Sequence, residues 1–372
     1  MQRLIIHVDL DSFYASLEEL RNTEIRGKPV VICVFSGRSA ESGAVSTANY
    51  KARELGIRAG MPISLAKRLA RNKDVVFLPY DIEHYRTVSE RIMDLLEDEA
   101  DALQQVSIDE AYLDVTKRSI GIWENAEKIA ENIKNKIRQR EGLTCSIGVG
   151  SNKLIAKMAS KQKKPEGLTV VRNTEVKKFL ENLPVSELHG IGDKTTKTLN
   201  QLGIRTVNEL ASFDLHILEE KFGKNKAKLL QNKAQGIDDS PVKHEEIQQI
   251  SRIGTLKEDT DNLEIVFEKI KELSIDVEKK LRKKKALFRT ISIITVDTTL
   301  KTQTKSRTTH QTDDLDSALD IARSLLEEFL EENLGKKLRR VGVRVSNLIF
   351  KEDQQPLRDL EKYFGKTTKN SS

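Results

Sequence analysis

The order of periodic segments between residues 4 and 161 most constrains what this chain can become. Residues 4 to 10 read as a strand closing on Asp9, and Ser12 to Arg21 as the start of a helix. Ile82 to Glu99 repeats Val88, Ile92, Leu95 and Leu96 at helical spacing, and Trp123 to Gln139 repeats Ala126, Ile129, Ile133 and Ile137. Between these helices, two short apolar runs flank Asp109-Glu110 and predict a hairpin. Thr144 to Val149 predicts a strand and Asn152 to Lys161 a helix. Strand–helix–strand–strand–helix–strand is the ferredoxin-like split βαβ order. It predicts that the first strand and the hairpin pair side by side, so that Asp9 and Asp109-Glu110 converge on one sheet surface. The expected class is α+β and multidomain.

An inserted unit follows the first helix. Lys28-Pro29 opens a strand, Val30 to Phe35. Thr47 to Leu55 reads as a helix stopped by Gly56, Pro62 opens a helix running to Ala70, and Val75 to Leu78 reads as a strand. From about 170 to 236 the pattern is short helices. Leu188-His189-Gly190-Ile191-Gly192-Asp193, with Leu199 and Leu202-Gly203-Ile204, is a helix-hairpin-helix signature. Residues 237 to 246 are linker-like. The split βαβ rhythm then returns: strand Ile250 to Leu256, helix Leu263 to Leu281, strands Leu287 to Val296 and Thr302 to Thr309, helix Asp314 to Leu334, strand Val341 to Phe350.

At 372 residues, two to four domains are expected. Lys+Arg exceeds Asp+Glu by 63 to 57, a mild basic balance that permits a nucleic-acid partner without demonstrating one. Cys33 and Cys145 each lie in an apolar run and read as core residues, and the six histidines form no zinc pattern. No secretory leader and no membrane-length apolar run is visible, which points to the cytoplasm.

Carboxylates at strand ends supply oxygen ligands to hard divalent cations on a rigid frame. Asp9, Asp109 and Glu110 therefore suggest a two-Mg²⁺ site acting on phosphates, although an Asp-Glu dipeptide by itself more often marks a solvated turn. Asp11 and Asp114 are further carboxylates nearby. Phe13 suits a core as well as a site. A Tyr14 ring packed against C2′ of a bound nucleotide would leave no room for a 2′-hydroxyl. Tyr50 and Arg53, at i and i+3, share one helical face and suit a phosphate chain, and Lys164 precedes a Pro-x-Gly stop that positions it. Gly190 and Gly192 allow backbone N–H groups close to a DNA phosphate. Lys279 to Lys285 and Lys336 to Arg340 each read as a basic run opening a strand, and Lys301, Lys305 and Arg307 decorate a third strand; together they could form a DNA-backbone footprint. Each of these runs, taken singly, is also what a solvated surface looks like.

Three stretches resemble motifs of the Y-family DNA polymerases. They are Val8-Asp9-Leu10-Asp11-Ser12-Phe13-Tyr14-Ala15, Ser107-Ile108-Asp109-Glu110-Ala111-Tyr112-Leu113-Asp114 and Ser146-Ile147-Gly148-Val149-Gly150-Ser151-Asn152-Lys153. The chain is most similar to the lesion-bypass polymerase IV branch and to its archaeal members, from Leu4 to about Phe350. The resemblance implies a right-hand polymerase. The palm would be 1–21 with 80–168, the fingers 22–79 and the helix-hairpin-helix thumb 169–236; a linker at 237–244 would lead to a βαββαβ little finger at 245–350 and a flexible tail at 351–372.

It also implies low-fidelity, template-directed DNA synthesis with two Mg²⁺ ions held by Asp9, Asp109, Glu110 and the Leu10 carbonyl. Phe13, Tyr14 as sugar gate, Thr47, Tyr50, Arg53 and Lys164 form the expected nucleotide-binding set. Gly190, Gly192, Lys194, Lys283, Lys284, Lys285, Arg307, Arg339 and Arg340 form the expected DNA-binding set. In the tail, Leu360, Tyr363 and Phe364 resemble a sliding-clamp-binding peptide, with Leu357 where a glutamine is usual. The expected partners are primer–template DNA, deoxynucleoside triphosphates and a clamp; no membrane is involved and the chain would act as a monomer. A nucleotidyl cyclase could share the carboxylate-bearing palm, but needs neither the hairpin helices nor the basic last domain.

Overall fold

The computed structural model describes residues 1–39, 41–244 and 247–350. The chain forms two compact units. One comprises Met1–Val34 with Ala44–Glu245, the other Phe35–Gly43 with the chain from Glu246.

The first unit is built on a five-stranded sheet in the order Ala102–Gln105, Glu110–Asp114, Ile5–Leu10, Cys145–Gly150, Leu168–Val170. The strand closing the hairpin lies between the first strand and its crossover partner, which is the predicted split βαβ arrangement. Ile5–Leu10 is antiparallel to both neighbours, with Asp9 opposite Glu110 on one side and opposite Ser146 on the other. Helices Ile82–Asp98 and Trp123–Glu141 cover one face, burying Tyr85, Ile92, Leu96, Ile133 and Ile137 against Leu4, Ile6, Val8, Leu113 and Ile147. The short strand Leu168–Val170, at the sheet edge, had no signal in the sequence beyond Pro165 and Gly167.

The other face carries helix Lys153–Ser160, started by Asn152, whose side chain accepts from the Ile155 N–H at 2.9 Å. Its approach is set by Gly148. A Cβ there would lie 2.0 Å from the Ala156 carbonyl and 2.3 Å from the Ser160 nitrogen, so no larger residue fits without moving the helix off the sheet. Leu154, Ile155, Met158 and Ala159 of this helix share a core with Leu180, Leu188, Leu199, Leu210 and Leu230 of the hairpin helices.

The inserted unit has a three-stranded sheet, Gly43–Ala48, Val30–Phe35, Val76–Pro79, with helices Tyr50–Glu54 and Ile63–Leu69. Here the expected helix over Thr47 to Leu55 divides. Thr47 lies in the strand Gly43–Ala48, and the helix begins only after Asn49. Val45 and Thr47 are β-branched and favour the strand, while the Asn49 side chain accepts from both Ala52 N–H and Val30 N–H, breaking the run at that point.

The second unit repeats the split βαβ rhythm with a different strand filling the gap. Its sheet order is Thr302–Thr312, Ala286–Asp297, Leu338–Ser346, Gln249–Thr260. The last strand, not the hairpin return, lies between the first strand and its crossover partner. Helices Leu263–Lys284 and Leu315–Glu332 pack on one face against Ile291, Ile293, Val341, Val343 and Val345. Lys283 and Lys284 do not open a strand. They close the helix Leu263–Lys284, where positive charge suits the carbonyl end, and Lys285 is its left-handed cap at φ 49°. Among the described residues no helix is long and apolar enough to cross a membrane.

Candidate active site

Strand ends deliver the acidic groups. Asp9 is the penultimate residue of the first strand, Glu110 opens its antiparallel neighbour, and the Leu10 N–H donates to the Asp109 carbonyl at 3.0 Å. A cavity of about 190 Å³ opens at this point. It is lined by Asp9, Leu10, Ser12, Phe13, Tyr14, Ser46, Thr47, Tyr50, Arg53, Asp109 and Lys164. The fold thus brings together two of the three predicted carboxylates and the whole predicted nucleotide set. Ser12 and Ser46 also line it, and neither was in the expected nucleotide-binding set. Phe13 serves both of its readings: its ring is 2% exposed in the core and still forms part of the wall.

Glu110, opposite Asp9 in the sheet, is not among the residues that line this cavity. It accepts from His7 Nε2 at 2.6 Å and is ion-paired with Lys157. His7 Nδ1 faces the Ser160 hydroxyl at 2.8 Å. Burial, with Lys157 close by, pushes His7 down to about 3, so the imidazole is neutral, with its proton on Nε2 toward Glu110. Burial, with Lys161 adding like-charge repulsion, brings Lys157 down to about 8. Asp9 is paired with Lys164, and Asp109 accepts from the Ser107 hydroxyl at 2.5 Å. Among the described residues no three His, Cys, Asp or Glu side chains stand close enough to hold an ion together. Like charges at one strand end repel, and each carboxylate takes the nearest donor.

Asp11 is not among the cavity-lining residues. It is 3% exposed and accepts from Ser146 Oγ at 2.8 Å, the Glu166 N–H at 2.9 Å, Thr144 Oγ1 at 3.1 Å and the Tyr50 hydroxyl at 3.3 Å. It therefore ties the first strand to the loop bearing Lys164 and to the helix bearing Tyr50. Arg53 lies over the Tyr50 ring at 5.2 Å, and its Nε donates to the Ala48 carbonyl at 2.8 Å. Asp114, at the far end of its strand, accepts from the Thr116 N–H at 3.0 Å and serves the turn.

The predicted DNA-binding residues are dispersed. Gly190 has φ 93°, and a Cβ there would meet Lys233 Nζ at 2.7 Å; Lys233 donates to the His189 carbonyl at 3.2 Å, pinning the hairpin. Gly192 caps helix Asp193–Gln201, and Lys194 is exposed in its first turn. In the second unit strand parity sorts the arginines. Arg307 lies opposite the core residue Ile291, on the helix-covered side, and is paired with Glu328. Arg339 is held by Asp259 at 2.8 Å. Arg340 is exposed, and Arg344, four residues on, shares its face; Arg344 Nε is buried without a hydrogen-bond partner. Arg344 was not in the expected set, although its alternation with Val341, Val343 and Val345 puts it on the same outer face as Arg340. Leu360, Tyr363 and Phe364 lie outside the described residues.

Acidic groups at adjacent strand ends, cations converging on the same cavity, and a glycine-bearing helical hairpin in the same unit define a nucleotidyltransferase working on nucleic acid. Residues 8–161 match the impB/mucB/samB family, residues 173–204 the helix-hairpin-helix motif of that family and residues 247–359 its C-terminal domain. The chain is 47% identical over 366 residues to DNA polymerase IV of Methanosarcina acetivorans, covering 96% of this chain and 100% of the relative. It is 41% identical to DNA polymerase IV of Nitrosopumilus maritimus, covering 97% and 99%. Among solved structures, a Y-family polymerase chimera of Dbh and Dpo4 superposes with a TM-score of 0.88 at 37% identity, covering 93% and 99%. An insertion ternary complex of Dbh DNA polymerase gives a TM-score of 0.70 at 37% identity, with the same coverage. The chain belongs to the impB/mucB/samB family, the Y-family DNA polymerases.

Proposed function

We propose that this chain extends a primer on a DNA template by transferring a nucleotide from a deoxynucleoside triphosphate to the 3′-hydroxyl, with release of pyrophosphate. It is a DNA-directed DNA polymerase of the lesion-bypass class. The observation that carries the site assignment is the single cavity in which Asp9, Asp109, Tyr14, Tyr50, Arg53 and Lys164 meet.

The donor set is all oxygen, which suits a hard divalent cation. Asp9, Asp109 and the Leu10 carbonyl would hold Mg²⁺, with Glu110 joining once it leaves Lys157. Mg²⁺, when bound, acts as a Lewis acid on the α-phosphate and favours the ionised primer hydroxyl. The protein's own groups do the rest. Arg53 and Lys164 carry the charge of the triphosphate, and Tyr50, its hydroxyl committed to Asp11, supports the Arg53 guanidinium with its ring. Tyr14 fills the space that a 2′-hydroxyl needs. Asp11 acts as the anchor that keeps Tyr50 and the Lys164 loop in register.

We assign 1–21 with 80–168 to the palm, 22–79 to the fingers, 169–236 to the thumb and 245–350 to the little finger. Gly190, Gly192 and Lys194 would grip the backbone from the thumb, with Arg340 and Arg344 from the little finger. Free, buried Cys33 and Cys145 suit a reducing cytoplasm. The tail peptide at Leu360, Tyr363 and Phe364 would engage a sliding clamp; equal clamp capture with and without 355–372 would remove that assignment.

Primer extension with Mg²⁺ and four deoxynucleotides, on intact and abasic templates, tests the whole reading. Glu110→Ala is expected to abolish extension while leaving primer–template binding within about threefold of normal. Near-normal extension by that variant would sink the catalytic assignment.

A further inference from the structure

Tyr14 does not stand alone in the cavity wall. Its ring stacks on Tyr85, with centroids 4.5 Å apart and planes 15° from parallel. Tyr80 meets both rings edge-on, at 5.4 Å and 71° from Tyr14 and at 5.6 Å and 67° from Tyr85. Neither Tyr80 nor Tyr85 lines the cavity. Tyr85 is fully buried, and its hydroxyl donates to Glu18 at 2.9 Å, which fixes the ring from behind. Tyr80 follows the strand Val76–Pro79, and its N–H donates to the Cys33 carbonyl at 3.0 Å. It thus joins the inserted sheet to the helix that carries Tyr85.

A ring that excludes a hydroxyl by occupying its space is only as selective as its own resistance to being pushed aside. An unsupported tyrosine can change rotamer at little cost, and a competing 2′-hydroxyl then enters. Here the stack and the edge contacts oppose that movement. We propose that Tyr80 is a specificity-determining residue for sugar selection, acting through Tyr14: with Tyr85 it clamps the Tyr14 ring against displacement by a ribonucleotide. The proposal rests on the reading of Tyr14 as the sugar gate.

The test is single-nucleotide insertion, measuring kcat/KM for a deoxynucleotide and for its ribonucleotide counterpart on one template. Tyr80→Leu removes the edge contacts and is expected to lower deoxy-over-ribo selectivity by about threefold to tenfold, the range one aromatic contact supports. The change should come from faster ribonucleotide insertion, with deoxynucleotide insertion staying within about twofold of normal. Tyr80→Phe keeps the ring and gives up only the hydroxyl's hydrogen bond to Tyr14, so it should restore most of the selectivity. Tyr14→Ala combined with Tyr80→Leu should be no less selective than Tyr14→Ala alone, because Tyr80 has no other route to the sugar. Unchanged selectivity in Tyr80→Leu, with Tyr14→Ala selectivity lost, overturns the clamp and leaves the gate standing. Unchanged selectivity in Tyr14→Ala overturns the gate itself. Equal loss of both insertion rates in Tyr80→Leu, or failure of Tyr80→Phe to restore selectivity, also overturns the proposal.

Discussion

Replacing Asp11 should separate anchoring of the nucleotide-binding residues from metal ligation. In Asp11→Ala, four donors lose their acceptor: Ser146 Oγ, Thr144 Oγ1, the Glu166 N–H and the Tyr50 hydroxyl. Ser146 is fully buried, so its hydroxyl depends on that carboxylate for an acceptor. A hydrogen bond to a charged group contributes about 1.5–3 kcal/mol, but the four share one acceptor and do not add. The expected loss of stability is about 2–4 kcal/mol, because the groups left without a partner are neutral donors. For a chain of this size, at about 1.3 °C per kcal/mol, that lowers Tm by roughly 3–5 °C, readable by calorimetry. Asp11→Asn keeps the shape and half the acceptors, and should cost about 1–2 kcal/mol. Its kinetic effect is the sharper test. With Tyr50 and the Lys164 loop loosened, KM for the deoxynucleotide should rise about tenfold, equivalent to about 1.4 kcal/mol of lost positioning, while the Mg²⁺ concentration for half-activity stays constant. The opposite pattern, an unchanged KM with a tenfold higher Mg²⁺ requirement, would make Asp11 a metal ligand and refute the anchor.

Three further outcomes follow from the geometry. Gly148→Ala should destabilise the first unit by several kcal/mol, since the added methyl would meet the Ala156 carbonyl at 2.0 Å; a wild-type melting curve would contradict the close approach. Burial, with Lys157 and Lys233 nearby, pushes His189 down to about 4 from an ordinary 6.5, so the unfolded chain takes up the proton first. The resulting stability is complete above about pH 6.5 and falls as pH drops toward 4, by about 1–2 kcal/mol for this half-buried ring; His189→Gln should flatten that part of a pH–stability profile, and an unchanged slope would refute it. Arg344→Ala should reduce the salt dependence of DNA binding by about one phosphate contact, whereas Arg307→Ala, whose guanidinium is committed to Glu328, should not; fluorescence titrations at several salt concentrations decide between them.

The framework of the site was legible because its residues sit where local rules are strong. Asp9 closes an apolar strand, Asp109-Glu110 separates two more, and the helices between them follow a clean 3.6-residue period. Tyr14, Tyr50, Arg53 and Lys164 followed from short motifs. What escaped reading depends on tertiary approach. His7 is one apolar-strand residue among several until the contact at Gly148 brings Lys157 and Ser160 down beside it and Glu110. Thr47 was read into a helix because the Asn49 cap, which divides strand from helix, draws part of its strength from a distant strand through Val30. Lys283 and Lys284 were read as strand residues because charge runs carry no periodicity, and the helix Leu263–Lys284 extends through them. Arg307 and Arg344 exchange significance only when parity is counted from the paired strand.

The lysine on Asp9 and the lysine on Glu110 make cation binding an exchange reaction. Asp9 cannot give both lone-pair directions to an incoming ion while Lys164 remains on it, and Lys164 cannot reach a triphosphate while it remains on Asp9. Each ligand therefore frees the group that the other needs. Linkage then requires that the cation and the nucleotide raise one another's affinity by the same factor. On its own, Mg²⁺ should raise the melting temperature little, because it replaces charge compensation the protein already has. Together with the triphosphate it should raise it far more than the two separate shifts combined, a cooperativity written into two ion pairs.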